Sequence, residues 1–142
     1  MKSFLEALAL VLVAACCSVV AYFAHPKAPS FSMDAFSISL EAAQEAEGVL
    51  WVDARTDEDF ERGRLEGAIL LNEERWEELL TGFLDVWSPD SPTIVYCSSQ
   101  SCLRSHEVAE RLREELGIET IYSLEGGWES LIEAGLAEEA AQ

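Results

Sequence analysis

Beyond Lys27 the sequence contains no lysine, and the same stretch sets only seven arginines against 26 aspartates and glutamates, a net charge of −19. A field of that sign repels phosphate backbones and anionic headgroups, so nucleic acid is not expected as a partner; solubility or a basic protein partner is what such a surface favours. Cysteine is scarce as well. Of four, Cys16 and Cys17 fall in the N-terminal apolar run, which leaves Cys97 and Cys102. Together with His106 they make three soft ligands and no second cysteine pair, a poor match to a zinc site, so no metal and no cofactor is expected. There is no internal repeat, and 142 residues allow one domain with a real core but not two plus an apolar leader.

Long apolar runs are missing except for one, Phe4 to Ala24, which is interrupted only by Glu6. A membrane-spanning helix needs about 20 such residues, so this run is long enough to span. The segment His25-Pro26-Lys27-Ala28-Pro29-Ser30 then breaks any helix and reads as a stalk. A signal anchor is the favoured reading. A lipoprotein signal with Val13-Ala14-Ala15-Cys16 as processing box lacks the polar tether that normally follows the lipidated cysteine, and a cleaved secretory signal is the third alternative. Lys2 and the α-amine on one side, against Lys27 on the other, put the N-terminus in the cytoplasm by a small margin and the domain outside it, in the periplasm if the source is bacterial. The expected organisation is residues 1–27 as membrane anchor or signal and residues 28–142 as one domain.

Within that domain short apolar strands alternate with helices. Ser39 caps a helix to Glu47 that Gly48 stops, and Val49 to Val52 is a buried strand. Asp57 to Arg62 is a short helix closed by Gly63, Ala68 to Leu71 a strand, and Glu73 to Phe83 an amphipathic helix burying Trp76, Leu79, Leu80 and Phe83. Ser88-Pro89-Asp90-Ser91-Pro92 breaks the chain before the strand Thr93-Ile94-Val95-Tyr96. A helix from Ser105 to Leu116, a strand from Thr120 to Ser123, a turn at Leu124 to Gly127 and a helix from Trp128 to Ala134 complete it, with an acidic tail from Leu136 that is expected to fray. This alternation predicts an α/β domain with a mainly parallel central sheet flanked by helices, whose site gathers beyond the carboxyl ends of the strands.

Cys97 stands at such an end. Ser98, Ser99, Gln100 and Ser101 follow, small enough to curl backbone N–H groups toward one point before a helix begins. Converging amides and a helix N-terminus favour an anion and bring a cysteine from about 8.5 toward roughly 3.5 to 7.5, which yields a nucleophilic thiolate. The alternative for a cysteine at a strand end, an inert core residue, stays open on spacing and composition alone.

Several blocks, in order, resemble the rhodanese family over about residues 31–134. Val49-Leu50-Trp51-Val52-Asp53-Ala54-Arg55 is similar to its strand ending in Asp-x-Arg, and Asp57-Glu58-Asp59-Phe60 to the acidic-aromatic helix start. Gly63-Arg64-Leu65-Glu66-Gly67-Ala68-Ile69 resembles its Gly-His-Ile-Pro-Gly-Ala-Ile segment. Thr93 to Cys97 resembles the strand that delivers the catalytic cysteine, and Tyr122 to Trp128 the closing Leu-x-Gly-Gly block. The resemblance implies a sulfurtransferase in which Cys97 takes sulfur from a sulfane donor such as thiosulfate or a persulfide, holds it as a persulfide and yields it to a thiol or other nucleophilic acceptor. It also implies that Asp53 and Arg55 brace the active-site loop rather than react.

The loop departs from the family pattern. The position five after the cysteine, commonly Arg followed by Ser, is Cys102, and the Arg-Ser pair is displaced to Arg104-Ser105. A missing guanidinium weakens recognition of a doubly charged donor, while a second thiol can close a disulfide with Cys97 if the Cα atoms lie within roughly 7 Å. A thiol–disulfide module using Cys97 and Cys102 is therefore the alternative function, and a non-catalytic docking domain for a protein partner at the membrane is a third. Related phosphatases keep Arg six residues after the cysteine, whereas Arg104 stands seven after Cys97, so phosphoryl chemistry is not expected. His106 reads as a surface residue rather than a base.

Overall fold

A computed structural model describes residues 36–98 and 103–138, all within one compact unit, Met33–Gln142. The expected anchor, residues 1–27, lies outside the described residues, among which no helix is long and apolar enough to cross a membrane. The elements run β1 (Ser37–Ile38), α1 (Leu40–Glu45), β2 (Leu50–Asp53), α2 (Asp57–Arg62), β3 (Ile69–Leu70), a 3-10 turn (Glu73–Arg75), α3 (Trp76–Val86), β4 (Thr93–Tyr96), α4 (Leu103–Leu116), β5 (Ile121–Leu124) and α5 (Gly127–Glu133). The strands form one five-stranded sheet in the order β1-β5-β4-β2-β3, every pair parallel, which bears out the expected α/β architecture.

Local chemistry sets the element ends. Ser39 Oγ accepts from the Ala42 N–H and Thr56 Oγ1 from the Asp59 N–H, so α1 and α2 begin on hydroxyl caps. Most element ends lie one or two residues from the sequence expectation, and three differences bear on packing or on the site. The helix expected from Glu73 opens as a 3-10 turn, because Asn72 Oδ1 accepts from the Arg75 N–H and tightens that turn; the α-helix starts at Trp76 and continues to Val86. In that helix Trp76 and Phe83 are buried, while Leu79 and Leu80 are only partly so. The helix expected from Ser105 begins two residues earlier, at Leu103, so Arg104 and Ser105 belong to its first turn.

The sheet separates two apolar layers. Val52, Val95 and Ile121 face α3 and α4, packing with Phe83, Val108 and Leu112. Ile94, Tyr96 and Leu124 face α1 and α5, packing with Ala43, Trp128 and Leu131. Side chains alternate along a strand, so Tyr96 and Cys97 leave β4 on opposite sides: Tyr96 joins the second layer and Cys97 the first. This parity decides which neighbours each can meet.

Candidate active site

β4 is the middle strand, hydrogen-bonded to β5 on one side and β2 on the other, and Cys97 is the first residue beyond it. Its carbonyl accepts from the Trp128 N–H at 2.7 Å, an N–H in the first turn of α5 that the helix itself leaves unpaired. That bond ties the end of β4 to the Gly126-Gly127 turn. Gly126 is left-handed (φ 78°), and a Cβ there would come within 2.8 Å of the Ser130 Cβ, so the turn requires glycine. Cys97 is 1% exposed, and the chain reaches the surface at Ser98.

The sulfur lies beside the first turn of α4, a helix of 14 residues. Ser105 Oγ donates toward Cys97 Sγ at 3.4 Å, and Ser123 Oγ donates to Ser105 Oγ at 2.8 Å. Both serines are buried. The stripe Ser105, Val108, Ala109 and Leu112 explains the first contact, since these positions share the helix face that packs on the sheet. Register explains the second: Ser123 pairs with Val95, so it shares Val95's side of the sheet and points where Ser105 does. In the sequence Ser105 stands out only as a helix start and the displaced partner of Arg104, and Ser123 only as a strand end within the closing block; neither is expected near the sulfur. The signal was nonetheless present, for each is a polar residue at a position where the helical or strand period demands a buried one.

Cys97 is joined in a disulfide, and the other three cysteines, Cys16, Cys17 and Cys102, lie outside the described residues. The sulfur contacted by Ser105 is thus a disulfide sulfur, standing where a thiolate sulfur would be in the reduced protein. Of the expected loop, Ser98 is described and exposed, whereas Ser99, Gln100, Ser101 and Cys102 fall outside the described residues. Arg104, expected to belong to that loop, sits on α4 with its guanidinium 3.2 Å from the Glu74 carboxylate. The His106 ring packs on Phe36 with centroids 5.5 Å apart.

On the other side of the sheet Asp53 and Arg55 form a buried corner. Asp53 Oδ1 accepts from the Arg55 N–H and Nε, both at 2.9 Å, and Oδ2 accepts from Nη2 at 2.6 Å. Arg55 Nη2 also donates to the Gly63 carbonyl, and the guanidinium lies over the Trp128 ring, 3.9 Å from its centroid. Burial works against the charge on Arg55, but the bonded Asp53 carboxylate outweighs it and holds the pKa above the ordinary guanidinium value. Tyr96 stacks on Trp128, and its hydroxyl oxygen accepts from the Leu65 N–H at 3.3 Å. Burial, reinforced by the Asp53 charge, pushes the Tyr96 phenol well above its usual range, so it stays neutral. The corner therefore ties β2, the segment Gly63 to Leu65, β4 and α5 together around the chain that carries Cys97.

Comparison with known proteins agrees with this arrangement. A family model described as "Rhodanese-like domain" matches residues 38–134. The chain is 34% identical over 90 residues to the thiosulfate sulfurtransferase GlpE of Shewanella oneidensis, covering 63% of this chain and 82% of that one. It is 33% identical over 97 residues to the thiosulfate sulfurtransferase GlpE of Actinobacillus succinogenes, covering 68% and 81%. Among solved structures, a rhodanese-related protein from Thermoplasma volcanium superposes with a TM-score of 0.55 at 25% identity, over 70% of this chain and 93% of that one. The BH2092 protein of Bacillus halodurans shares the fold, with a TM-score of 0.58 at 19% identity over 74% and 77%.

Proposed function

The chain belongs to the rhodanese-like domain family, and on that premise we propose that it transfers sulfur through Cys97. The reduced Cys97 thiolate attacks the outer sulfur of a sulfane donor. The donor's S–S bond breaks, the remainder leaves with the bonding electrons (sulfite, when the donor is thiosulfate), and Cys97 is left as a persulfide anion. An acceptor thiolate then attacks the terminal sulfur, and the Cys97 thiolate departs. No cofactor is needed, because each step exchanges one S–S or S–H partner for another.

The observation that carries this reading is the placement of Cys97 at the end of the middle strand, beside a helix first turn, with a buried hydroxyl on its sulfur. Dipoles of this kind favour an anionic sulfur without a fixed countercharge. The Asp53–Arg55 corner holds the backbone to which Cys97 is attached and does not take part in bond making. The test is to reduce the full chain, incubate it separately with thiosulfate and with a polysulfide, and follow its intact mass. One added sulfur atom per chain is expected, absent from Cys97→Ala; no adduct with either donor would overturn the reading.

The disulfide at Cys97 favours a second reading, in which a neighbouring thiol resolves a Cys97 persulfide or sulfenic acid by closing a disulfide. Cys102, five positions on, is the partner this reading names. Cys102→Ser is expected to abolish the intramolecular disulfide in mildly oxidised protein and to prolong the life of a Cys97 persulfide. An unchanged thiol count would remove the second reading and leave the first. The apolar run Phe4 to Ala24 is what supports placing the reaction next to a membrane.

A further inference from the structure

From the geometry we infer that Ser123 is a positioning residue for the sulfur site: it spends its hydroxyl hydrogen on Ser105, and so commits the single hydroxyl hydrogen of Ser105 to Cys97. The inference rests on the reading of Cys97 as the reacting thiol and adds a residue two contacts removed from the sulfur. A serine hydroxyl carries one hydrogen and two acceptor lone pairs. Left alone, Ser105 Oγ could rotate that hydrogen about its Cβ–Oγ bond, since a hydroxyl hydrogen turns to suit whatever partner it meets. With Ser123 Oγ donating to it at 2.8 Å, Ser105 Oγ is held as an acceptor on one side and keeps its hydrogen for the sulfur at 3.4 Å.

Three features point to a relay rather than to two serines that merely satisfy each other. Both hydroxyls are buried, Ser105 at 2% and Ser123 at 8% exposure, so water does not set their orientation. The serines come from different elements, α4 and β5, so the chain of hydroxyls is rigid to the extent that a helix is packed on a sheet. It also ends on the one side chain whose charge state matters to the proposed reaction. In a site of low effective dielectric, successive hydroxyls polarise one another, and removing the outer one weakens the inner bond.

The experiment is the pH profile of iodoacetamide alkylation at Cys97 in the reduced full chain, read on the Cys97 peptide by mass spectrometry so that the other cysteines do not interfere. Ser123→Ala is expected to move the midpoint of the profile upward by about 1 pH, the size of part of one hydrogen bond to a charged group. Ser123→Thr, which keeps the donor, restores the midpoint, and Ser123→Val, of the same shape without it, does not. Ser105→Ala moves the midpoint at least as far as Ser123→Ala, and the double variant moves it no farther than Ser105→Ala, as members of a series must. If Ser123→Ala does not fold, the comparison of Ser123→Thr with Ser123→Val, equal in shape and different only in the hydroxyl, carries the same expectation.

A midpoint indifferent to Ser123, or shifts that simply add in the double variant, would overturn the relay while leaving persulfide formation untouched. Failure of the parent chain to form a persulfide would overturn the proposed function, and the alkylation profile, which needs no sulfur donor, would still report on the relay.

Discussion

Asp53 ends β2, Cys97 follows β4, and the two strands are hydrogen-bonded neighbours, yet one site is built from full charges and the other from hydroxyls. On the α5 side of the sheet a guanidinium and a carboxylate are buried together, bidentate and stacked on an indole. On the α4 side a sulfur meets a chain of two serines. Ions can be buried only where pairing and hydrogen bonding repay the lost hydration, and such an arrangement is then rigid. In the proposed reaction the sulfur gains and loses a partner in each cycle, a task better served by neutral dipoles. A permanent cation bound to it would lower its nucleophilicity along with its pKa. Under the proposed function the charged corner holds the backbone and the hydroxyl corner is where sulfur reacts.

The largest expected effect tests the holding side. Asp53→Asn leaves the Arg55 guanidinium buried without its carboxylate and is expected to cost about 3–5 kcal/mol in denaturant unfolding. The double variant Asp53→Asn with Arg55→Met should recover part of that loss; a single-variant loss below about 1 kcal/mol would break the comparison. Next in size is Tyr96→Phe, which removes the acceptor of the buried Leu65 N–H and is expected to cost about 1–3 kcal/mol, with the Cys97 alkylation profile unchanged. A profile that moved with Tyr96 would mean that the two faces of the sheet are not independent.

The smallest effect concerns the exposed carboxylates near the corner. Asp57 accepts from Arg75 and from Asn72 Nδ2, and these bonds, Arg75 first, hold its pKa below the ordinary carboxylate value. A depressed folded value contributes stability above the unfolded pKa and loses it as pH falls through the folded one. Asp57→Asn should therefore lower neutral stability by a small amount, leave stability in acid, well below about pH 4, as it is in the parent, and so flatten the acid limb of the stability curve. Urea midpoints measured from neutral to acid pH would show it, and a variant as acid-sensitive as the parent would remove Asp57 from the account.

Much of the fold was legible because period and punctuation are local. Asp57 to Arg62 matches the observed α2 end for end, since Thr56, three acids and Gly63 mark both termini. Thr93 to Tyr96 is likewise the observed β4, a β-branched and apolar run framed by Pro92 and Cys97. Boundaries shifted where a tertiary contact competed with propensity: α4 starts at Leu103, which puts Ser105 on its buried stripe beside Cys97. Arg104, grouped with the loop by its place in sequence, pairs instead with Glu74 in the middle of the 3-10 turn, a contact that only the packing of α4 could create.

The amino-acid order by itself determined the strand and helix alternation, the parallel sheet that alternation requires, the family resemblance and the position of Cys97 at a strand end. These depend on neighbours within a few residues, where steric and hydrogen-bonding rules act without knowledge of the rest of the chain. Tertiary structure alone decided which hydroxyl meets the sulfur, that Ser123 stands behind Ser105, and that Arg55 lies over Trp128. Each of these contacts joins residues from different elements, and strand order and register, set by burial of the whole core, bring them within reach.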